Sequence, residues 1–129
     1  MDTARELEEF VSKPEQTAGY ASFSDFFRAV LEEREISASE VIQNANIYRT
    51  YGYQILDGKR KPGRDKVVAL CLALSLTLEE TQRALTVAGE SVLYPRRHRD
   101  SILIFGIHQH LTVPEMNELL FELKENPLD

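Results

Sequence analysis

Apolar residues recur at three- and four-residue intervals along most of this chain, which is the spacing of one face of an α-helix. After residue 20 the spacing predicts seven helices, over about residues 23–34, 37–46, 48–56, 64–74, 78–88, 99–110 and 113–124. Leu7, Phe10 and Val11 share the same spacing and predict a further short helix over residues 3–12. The pattern therefore predicts an all-α protein.

Local signals predict where several of these helices begin and end. A Ser or Thr followed three positions later by Glu is typical of a reciprocal cap at a helix start. The chain has three such pairs: Ser37 with Glu40, Thr77 with Glu80, and Thr112 with Glu115. Asn46, Gly58 and Gly89 follow apolar runs and suit the left-handed conformation in which many helices end. Residues 37–58 are therefore predicted to form two short helices joined by a tight turn.

At 129 residues the chain has the size of one compact domain, which we divide into three parts. Residues 1–20 are predicted to form an acidic arm containing the first short helix, and residues 21–89 the main helical domain. Residues 90–129 are predicted to form a helical hairpin on the same core, with an apolar face made by Ile102, Phe105, Leu119 and Leu123. The predicted core of the main domain consists of Phe26, Phe27, Val30, Val41, Ile55, Val68, Leu72 and Leu85.

Residues 64–85 and 99–120 align without a gap at a shift of 35 residues. Six positions are identical, and most of the remaining inward positions are apolar in both segments. This period suits a repeated two-helix hairpin, in which the second copy extends the core of the first. The alternative is that any two capped helical hairpins look alike over about twenty residues, and the sequence leaves both interpretations open.

Charge is distributed unevenly along the chain. The whole chain carries −6, yet residues 45–66 contain six cationic and two anionic side chains, a net +4. A positive island on an acidic protein is typical of a surface that binds phosphates. On the helix predicted over residues 48–56, the face opposite the apolar one carries hydrogen-bonding side chains and no carboxylate: Arg49, Thr50, Tyr53 and Gln54.

The segment SASEVIQNANIYRTYGYQILDGKRKP, followed by RDKVVALCLALSL and TLEETQRAL, resembles the helix-turn-helix of the Cro/phage-repressor (XRE-type) transcriptional regulators. The resemblance covers about residues 23–88, and its most specific parts are the spacing of the two short helices and the G-K-R-K-P loop. Three positions depart from the family pattern, because Ile42 replaces the usual Ala, Gly52 an aliphatic residue and Asn46 the turn Gly. We predict that Ile42 fills the space that Gly52 leaves.

The resemblance implies a five-helix phage-repressor-like domain that binds double-stranded DNA as a homodimer and regulates transcription. In that family the helix at residues 48–56 reads base edges in the major groove. The implied base-reading residues are Arg49, Thr50, Tyr53 and Gln54. The implied phosphate-binding residues are Tyr48, Lys59, Arg60, Lys61 and Arg64.

Other functions remain open from the residues alone. Because the chain is acidic, a non-enzymatic protein-interaction module is the competing prediction, with the C-terminal hairpin as the surface for a protein partner. Tyr48, Tyr51 and Tyr53 could stack on single-stranded bases, but the helix offers no sheet platform for such stacking. His108 and His110 lie on different sides of a helix without a third metal ligand.

No catalytic motif can be argued from the sequence, so we expect no enzymatic activity and no cofactor. Cys71 lies in an apolar run and is predicted to be a buried thiol. No apolar run approaches the roughly 18 residues of a membrane span, and the acidic N-terminus does not resemble a signal peptide. We therefore expect a cytoplasmic protein.

Overall fold

The computed structural model describes residues 19–129, in which every regular element is an α-helix, so the all-α prediction is confirmed. The seven helices of this part of the chain are α1 (Phe23–Arg34), α2 (Ala38–Asn44), α3 (Arg49–Leu56), α4 (Arg64–Ala73), α5 (Leu78–Val87), α6 (His98–His108) and α7 (Val113–Glu122). The helix predicted over residues 3–12 lies outside the described residues.

Helix ends follow the local signals closely. Complete capping boxes are present at Thr77, with Glu80, and at Thr112, with Glu115. The third prediction is only half right: the Ser37 hydroxyl accepts from the Glu40 amide at 3.2 Å, but the Glu40 carboxylate does not accept a return bond from the Ser37 amide. The predicted stops have left-handed backbone, with φ of 59° at Asn46, 79° at Gly58 and 75° at Gly89.

One hydrophobic core joins all seven helices. The eight predicted core residues of the main domain are all buried: Phe26, Phe27, Val30, Val41, Ile55, Val68, Leu72 and Leu85. Cys71 is buried as well, as predicted from its apolar neighbours. Periodicity predicted these positions because a helix can bury only one stripe of side chains against its neighbours.

The Ile42 side chain occupies the space beside Gly52. A β-carbon placed on Gly52 would lie 2.5 Å from Ile42 Cγ2 and 2.7 Å from Cγ1, which is far inside van der Waals contact. The large residue on α2 and the missing side chain on α3 therefore compensate each other, as predicted. This contact sets how closely the two short helices approach.

The C-terminal hairpin packs on the main domain with α7 against α4 and α6 against α5. Its fully buried side chains include Leu103, Met116 and Leu120. The predicted packing face is wrong in part, because Phe105 and Leu123 are exposed at 54% and 44%. The spacing of apolar residues predicted a wider buried face on the hairpin than the structure has. The main domain covers only one side of that face.

The two hairpins have the same backbone conformation and backbone hydrogen bonds at turn positions that are 35 residues apart. Ser75 and His110, which follow the first helix of each hairpin, have φ of 54° and 55°. Gly89 and Lys124, which follow the second, have φ of 75° and 63°. The backbone bonds around these turns repeat as well: Leu76 donates to Cys71 and Leu111 to Gly106, each at 3.0 Å.

The repeat extends to long-range contacts that two unrelated hairpins would not share. Arg64 donates to both carboxylate oxygens of Asp100, and Arg99 donates to both of Asp65, at 2.8–3.0 Å. The two arginines also donate to carbonyls 27 and 28 residues later, those of Ser91 and Val92 for Arg64 and those of Asn126 and Pro127 for Arg99.

These contacts are reciprocal, since the Arg of each copy binds the Asp of the other. Gln82 in α5 binds the amide of Leu93 at 2.7 Å, and its counterpart Asn117 in α7 binds the amide of Leu128 at 2.8 Å. A reciprocal pattern is what a two-fold axis between two like units produces. We conclude that residues 64–94 and 99–129 form an internal repeat related by a local two-fold axis.

Candidate nucleic-acid interface

The second of the two short helices, α3, is fixed in place at its start by the turn that precedes it. Ala45 ends α2, and Asn46 takes the left-handed conformation that reverses the chain. Ile47 is buried, so the turn is anchored in the core. Tyr48 is the N-cap residue of α3, and its side chain is 88% exposed.

The outer face of α3 carries the four residues predicted to read bases. Arg49 and Thr50 are exposed in the first turn, while Tyr53 and Gln54 are half-buried in the second. The Arg49 guanidinium lies 5.6 Å from the centre of the Tyr53 ring, within range of a cation–π contact. The structure thus places all four residues on one helix whose opposite face, Gly52 and Ile55, is buried.

The C-terminal end of α3 is held from two sides. The amides of Lys59 and Arg60 both donate to the carbonyl of Gln54, at 2.9 and 3.1 Å, which folds the basic loop back onto the helix. On the other side, Arg28 of α1 donates to the Leu56 carbonyl at 2.8 Å and lies 3.6 Å from the Asp57 carboxylate. The helix and the loop therefore form one rigid surface element.

Cationic side chains cluster beside this element. Lys59, Arg60 and Lys61 are exposed, and none forms an ion pair within residues 19–129. The Arg60 guanidinium and the Lys66 ammonium lie 5.8 and 5.9 Å from the centre of the Tyr51 ring. Tyr51 therefore gathers two positive charges next to the outer face of α3.

Arg64, predicted to bind phosphate, has a different role. Its guanidinium is committed to Asp100 and to the carbonyls of Ser91 and Val92, at 2.7–2.9 Å. The hydrogen bond with Asp100 raises the pKa of Arg64, against the effect of burial. Because each of the three guanidinium nitrogens of Arg64 donates to a partner within the chain, its side chain is held away from the role of a phosphate contact.

The carboxylate partner of Arg64 was not singled out by sequence reasoning. Burial alone would raise the pKa of Asp100, but hydrogen bonds from Arg64 and from the amide of Tyr94 outweigh burial and lower it. The signal that could have found this pair was the repeated Arg-Asp, at Arg64 and again at Arg99. That signal was visible in the alignment of the two hairpins.

The two carboxylates of the positive island are both next to arginines from other elements. Asp57 lies beside Arg28, and Asp65 is bonded to Arg99. Cations from outside the island therefore offset both of its negative charges, while Asp100 offsets the positive charge of Arg64 and Asp129 lies beside Tyr48 and Lys66.

Residues 19–129 contain no group of three side chains that could hold a metal ion, and no helix in this range is long and apolar enough to cross a membrane. Comparison of the chain with protein-family models, curated proteins and solved structures found no match.

Proposed function

We propose that this protein is a sequence-specific, double-stranded DNA-binding regulator of transcription that inserts α3 into the major groove. The observation that carries the proposal is the outer face of α3, which presents Arg49, Thr50, Tyr53 and Gln54 together. The face contains no carboxylate, and the loop that follows α3 carries Lys59, Arg60 and Lys61, all exposed. A helix of this kind with cations beside it matches the two requirements of direct readout, base-edge contacts and phosphate contacts.

Three of the four proposed readers have a chemical counterpart among the base edges. Arg49 suits the O6 and N7 acceptors of guanine, and Gln54 suits the N6 and N7 of adenine. Thr50 offers a methyl group for thymine. Tyr48, Lys59, Arg60 and Lys61 are the proposed phosphate contacts, which would set the register of the helix in the groove.

The proposal includes a homodimer on a two-fold DNA site. An eight-residue helix reaches only a few base pairs, and a single small module of this kind gives limited specificity. A second copy one helical turn away doubles the number of base pairs that are read. The half-site spacing recovered by selecting random duplexes on the purified protein tests this directly.

Two variants separate base reading from phosphate binding. Arg49→Ala should weaken binding to the preferred site by about 1–3 kcal/mol and relax preference at one base pair. Lys61→Ala should weaken specific and non-specific binding about equally and lower the salt slope by about one. Lys124→Gln, which removes a charge outside the interface, is the matched control and should change neither quantity. Unchanged sequence preference in a folded Arg49→Ala protein would show that α3 is not the reader.

The second candidate function is a protein-interaction module without DNA binding. It is favoured by the apolar side chains that α6 and α7 expose, Phe105 and Phe121 among them. Salt dependence distinguishes the two candidates, because neutralising several phosphates makes affinity fall steeply as salt rises. Absence of binding to all duplexes, or binding that is flat in salt, would favour the interaction module.

A further inference from the structure

Residues 126–129 follow α7 and reach the start of α3. Leu128 and Asp129 line a cavity of about 420 Å³ together with Asn46 and Tyr48, from the turn before α3, and Lys66 of α4. Tyr48 is one of the proposed phosphate contacts, and Lys66 is a cation of the positive island. The segment therefore brings a carboxylate, that of Asp129, to the edge of the candidate interface.

The second hairpin holds this segment in place. Arg99 of α6 donates to the carbonyls of residues 126 and 127 at 3.1 and 3.0 Å. The Leu128 amide donates to the Asn117 side chain of α7 at 2.8 Å, and the Leu128 side chain packs on the hydrophobic core. Both helices of the hairpin thus contribute to fixing the segment.

The internal repeat explains where the backbone of Asp129 lies. At a shift of 35 residues Asp129 corresponds to Tyr94. The Tyr94 amide donates to the Asp100 carboxylate at 2.9 Å, and the Asp129 amide donates to the Asp65 carboxylate at 3.2 Å. Because the first copy makes the same backbone bond with an uncharged residue, the repeat does not require an acid at position 129. The carboxylate is therefore available for another role.

The charge of Asp129 is directed at the same place as a bound phosphate would be. Its side chain is exposed, and no ion pair of 4.0 Å or less involves it within residues 19–129. A phosphate held by Tyr48 or Lys66 would lie beside the cavity that Asp129 lines. Two negative charges this close repel each other, so the carboxylate opposes the binding of the phosphate.

We propose that residues 126–129 form an autoinhibitory strap, which holds the Asp129 carboxylate beside the start of α3 and so lowers the affinity for DNA. The inference rests on the proposed function, because repulsion of this kind acts on a polyanionic ligand. The strap also links the second hairpin to DNA binding. Since Arg99 and Asn117 anchor it, a change in the hairpin that loosens these contacts releases the carboxylate from α3.

Titration of a labelled, non-specific duplex with the full chain, followed by fluorescence anisotropy at low and at high salt, tests the strap. At about 0.1 M salt Asp129→Asn should bind roughly three- to tenfold more tightly than the wild type, and Asp129→Lys more tightly still. At about 0.5 M salt the differences should shrink, because salt screens exposed charges.

Two further variants separate the position of the charge from its presence. Glu122→Gln removes an exposed carboxylate of α7 that does not line the cavity, so it is the matched control and should change the affinity by less than about twofold. Leu128→Ser keeps every charge but removes the apolar anchor of the strap. It should tighten binding at low salt, and circular dichroism should show the helical content of the wild type.

The outcomes distinguish failure of the strap from failure of DNA binding. A wild type that binds the duplex with the same affinity as both Asp129 variants would overturn the strap and leave the proposed function standing. An equal gain in Glu122→Gln would also overturn it, because net charge would then decide. If no chain binds any duplex, both proposals are wrong, whereas binding by the Asp129 variants alone would support both.

Discussion

Gly52 and Ile42 are complementary in size, because the Ile42 side chain occupies the space that a side chain at position 52 would need. Gly52→Ala would bring a methyl group against the Ile42 side chain, whose nearest carbon lies 2.5 Å from that position. Overpacking of this kind costs about 1–3 kcal/mol, which exceeds the gain in helix propensity of about 1 kcal/mol. The measurement is the free energy of unfolding in denaturant.

A double-mutant cycle isolates the contact. Ile42→Ala alone should cost about 2–5 kcal/mol by leaving a cavity. In the Ile42→Ala/Gly52→Ala double variant the added methyl group enters the space that was vacated, so the double variant should be no less stable than Ile42→Ala. Additive losses would show that the two residues do not compensate each other.

Cys71 should be chemically inert while the protein is folded. Burial raises the pKa of its thiol to about 12, so the reactive thiolate is almost absent near neutral pH. Labelling by a thiol reagent at pH 8 should be roughly a thousandfold slower than in the denatured protein. Rapid labelling of the folded chain would indicate that α4 opens locally and often.

At the scale of the helices, the Arg64–Asp100 pair and the Arg34–Glu80 pair should differ strongly in their contributions to stability. Asp100→Ala leaves Arg64 without its partner at a site where the Asp100 side chain is 4% exposed, which should cost roughly 3–5 kcal/mol. Arg34→Ala breaks a pair that is about one-third exposed and should cost less than about 1 kcal/mol. Equal losses would contradict a structural role for the reciprocal pairs.

The pH dependence gives a second test of the same pair. Since the pKa of Asp100 is lowered on folding, its contribution is fully present above the unfolded value of about 3.9 and is lost as pH falls below it. The stability gap between the wild type and Asp100→Ala should therefore be constant near neutral pH. It should shrink below about pH 4, as acid denaturation curves of both proteins would show.

Helices and caps were predictable from the sequence because they depend on neighbours within one or two turns. Thr77 and Thr112 cap helices through a Glu three residues later, and Gly58 stops α3 through its own backbone freedom. The partner of Arg64 was not predicted, since it lies 36 residues away and is set by how two hairpins pack. For the same reason the sequence did not show that Phe105 stays outside the core.

For the candidate interface, the sequence predicted which residues form the outer face of α3. It did not predict which charged side chains near that face are paired with other residues of the chain. Arg49 and Thr50 are exposed as the helical spacing required. Spacing along a helix cannot show that Arg99, from the second hairpin, binds Asp65 and so removes a negative charge from the surface beside Lys66. That outcome depends on the long-range contacts of the repeat.

At the scale of the whole molecule, charge is segregated. The chain carries −6, while the surface around α3 and its loop is positive. Under the proposed function, an acidic body beside a cationic surface would disfavour indiscriminate contact with nucleic acid and would orient the molecule as it approaches a duplex. Because the positive charges are concentrated there, the salt dependence expected for the proposed DNA binding is set by the few cationic residues of this surface and not by the net charge of the chain.

The second hairpin should be required for the stability of the first. A chain ending after Gly89 loses α6 and α7, leaves Arg64 and Asp65 without their partners, and exposes the sides of α4 and α5 that those helices cover. We expect it to aggregate or to melt roughly 15 °C or more below the full chain, since 1 kcal/mol corresponds to about 4–8 °C in a domain of 60–100 residues.

A chain ending after Glu125 is the matched control for that truncation. It keeps both helices and loses the Leu128 side chain that packs on the core, the carbonyls that Arg99 binds and the amides bound by Asn117 and Asp65. Its melting temperature, followed by circular dichroism, should fall between those of the other two chains. A soluble fragment ending at Gly89 with the melting temperature of the full chain would mean that the first copy of the repeat, together with α1 to α3, folds without the second. The reciprocal Arg–Asp contacts would then contribute little to holding the main domain together.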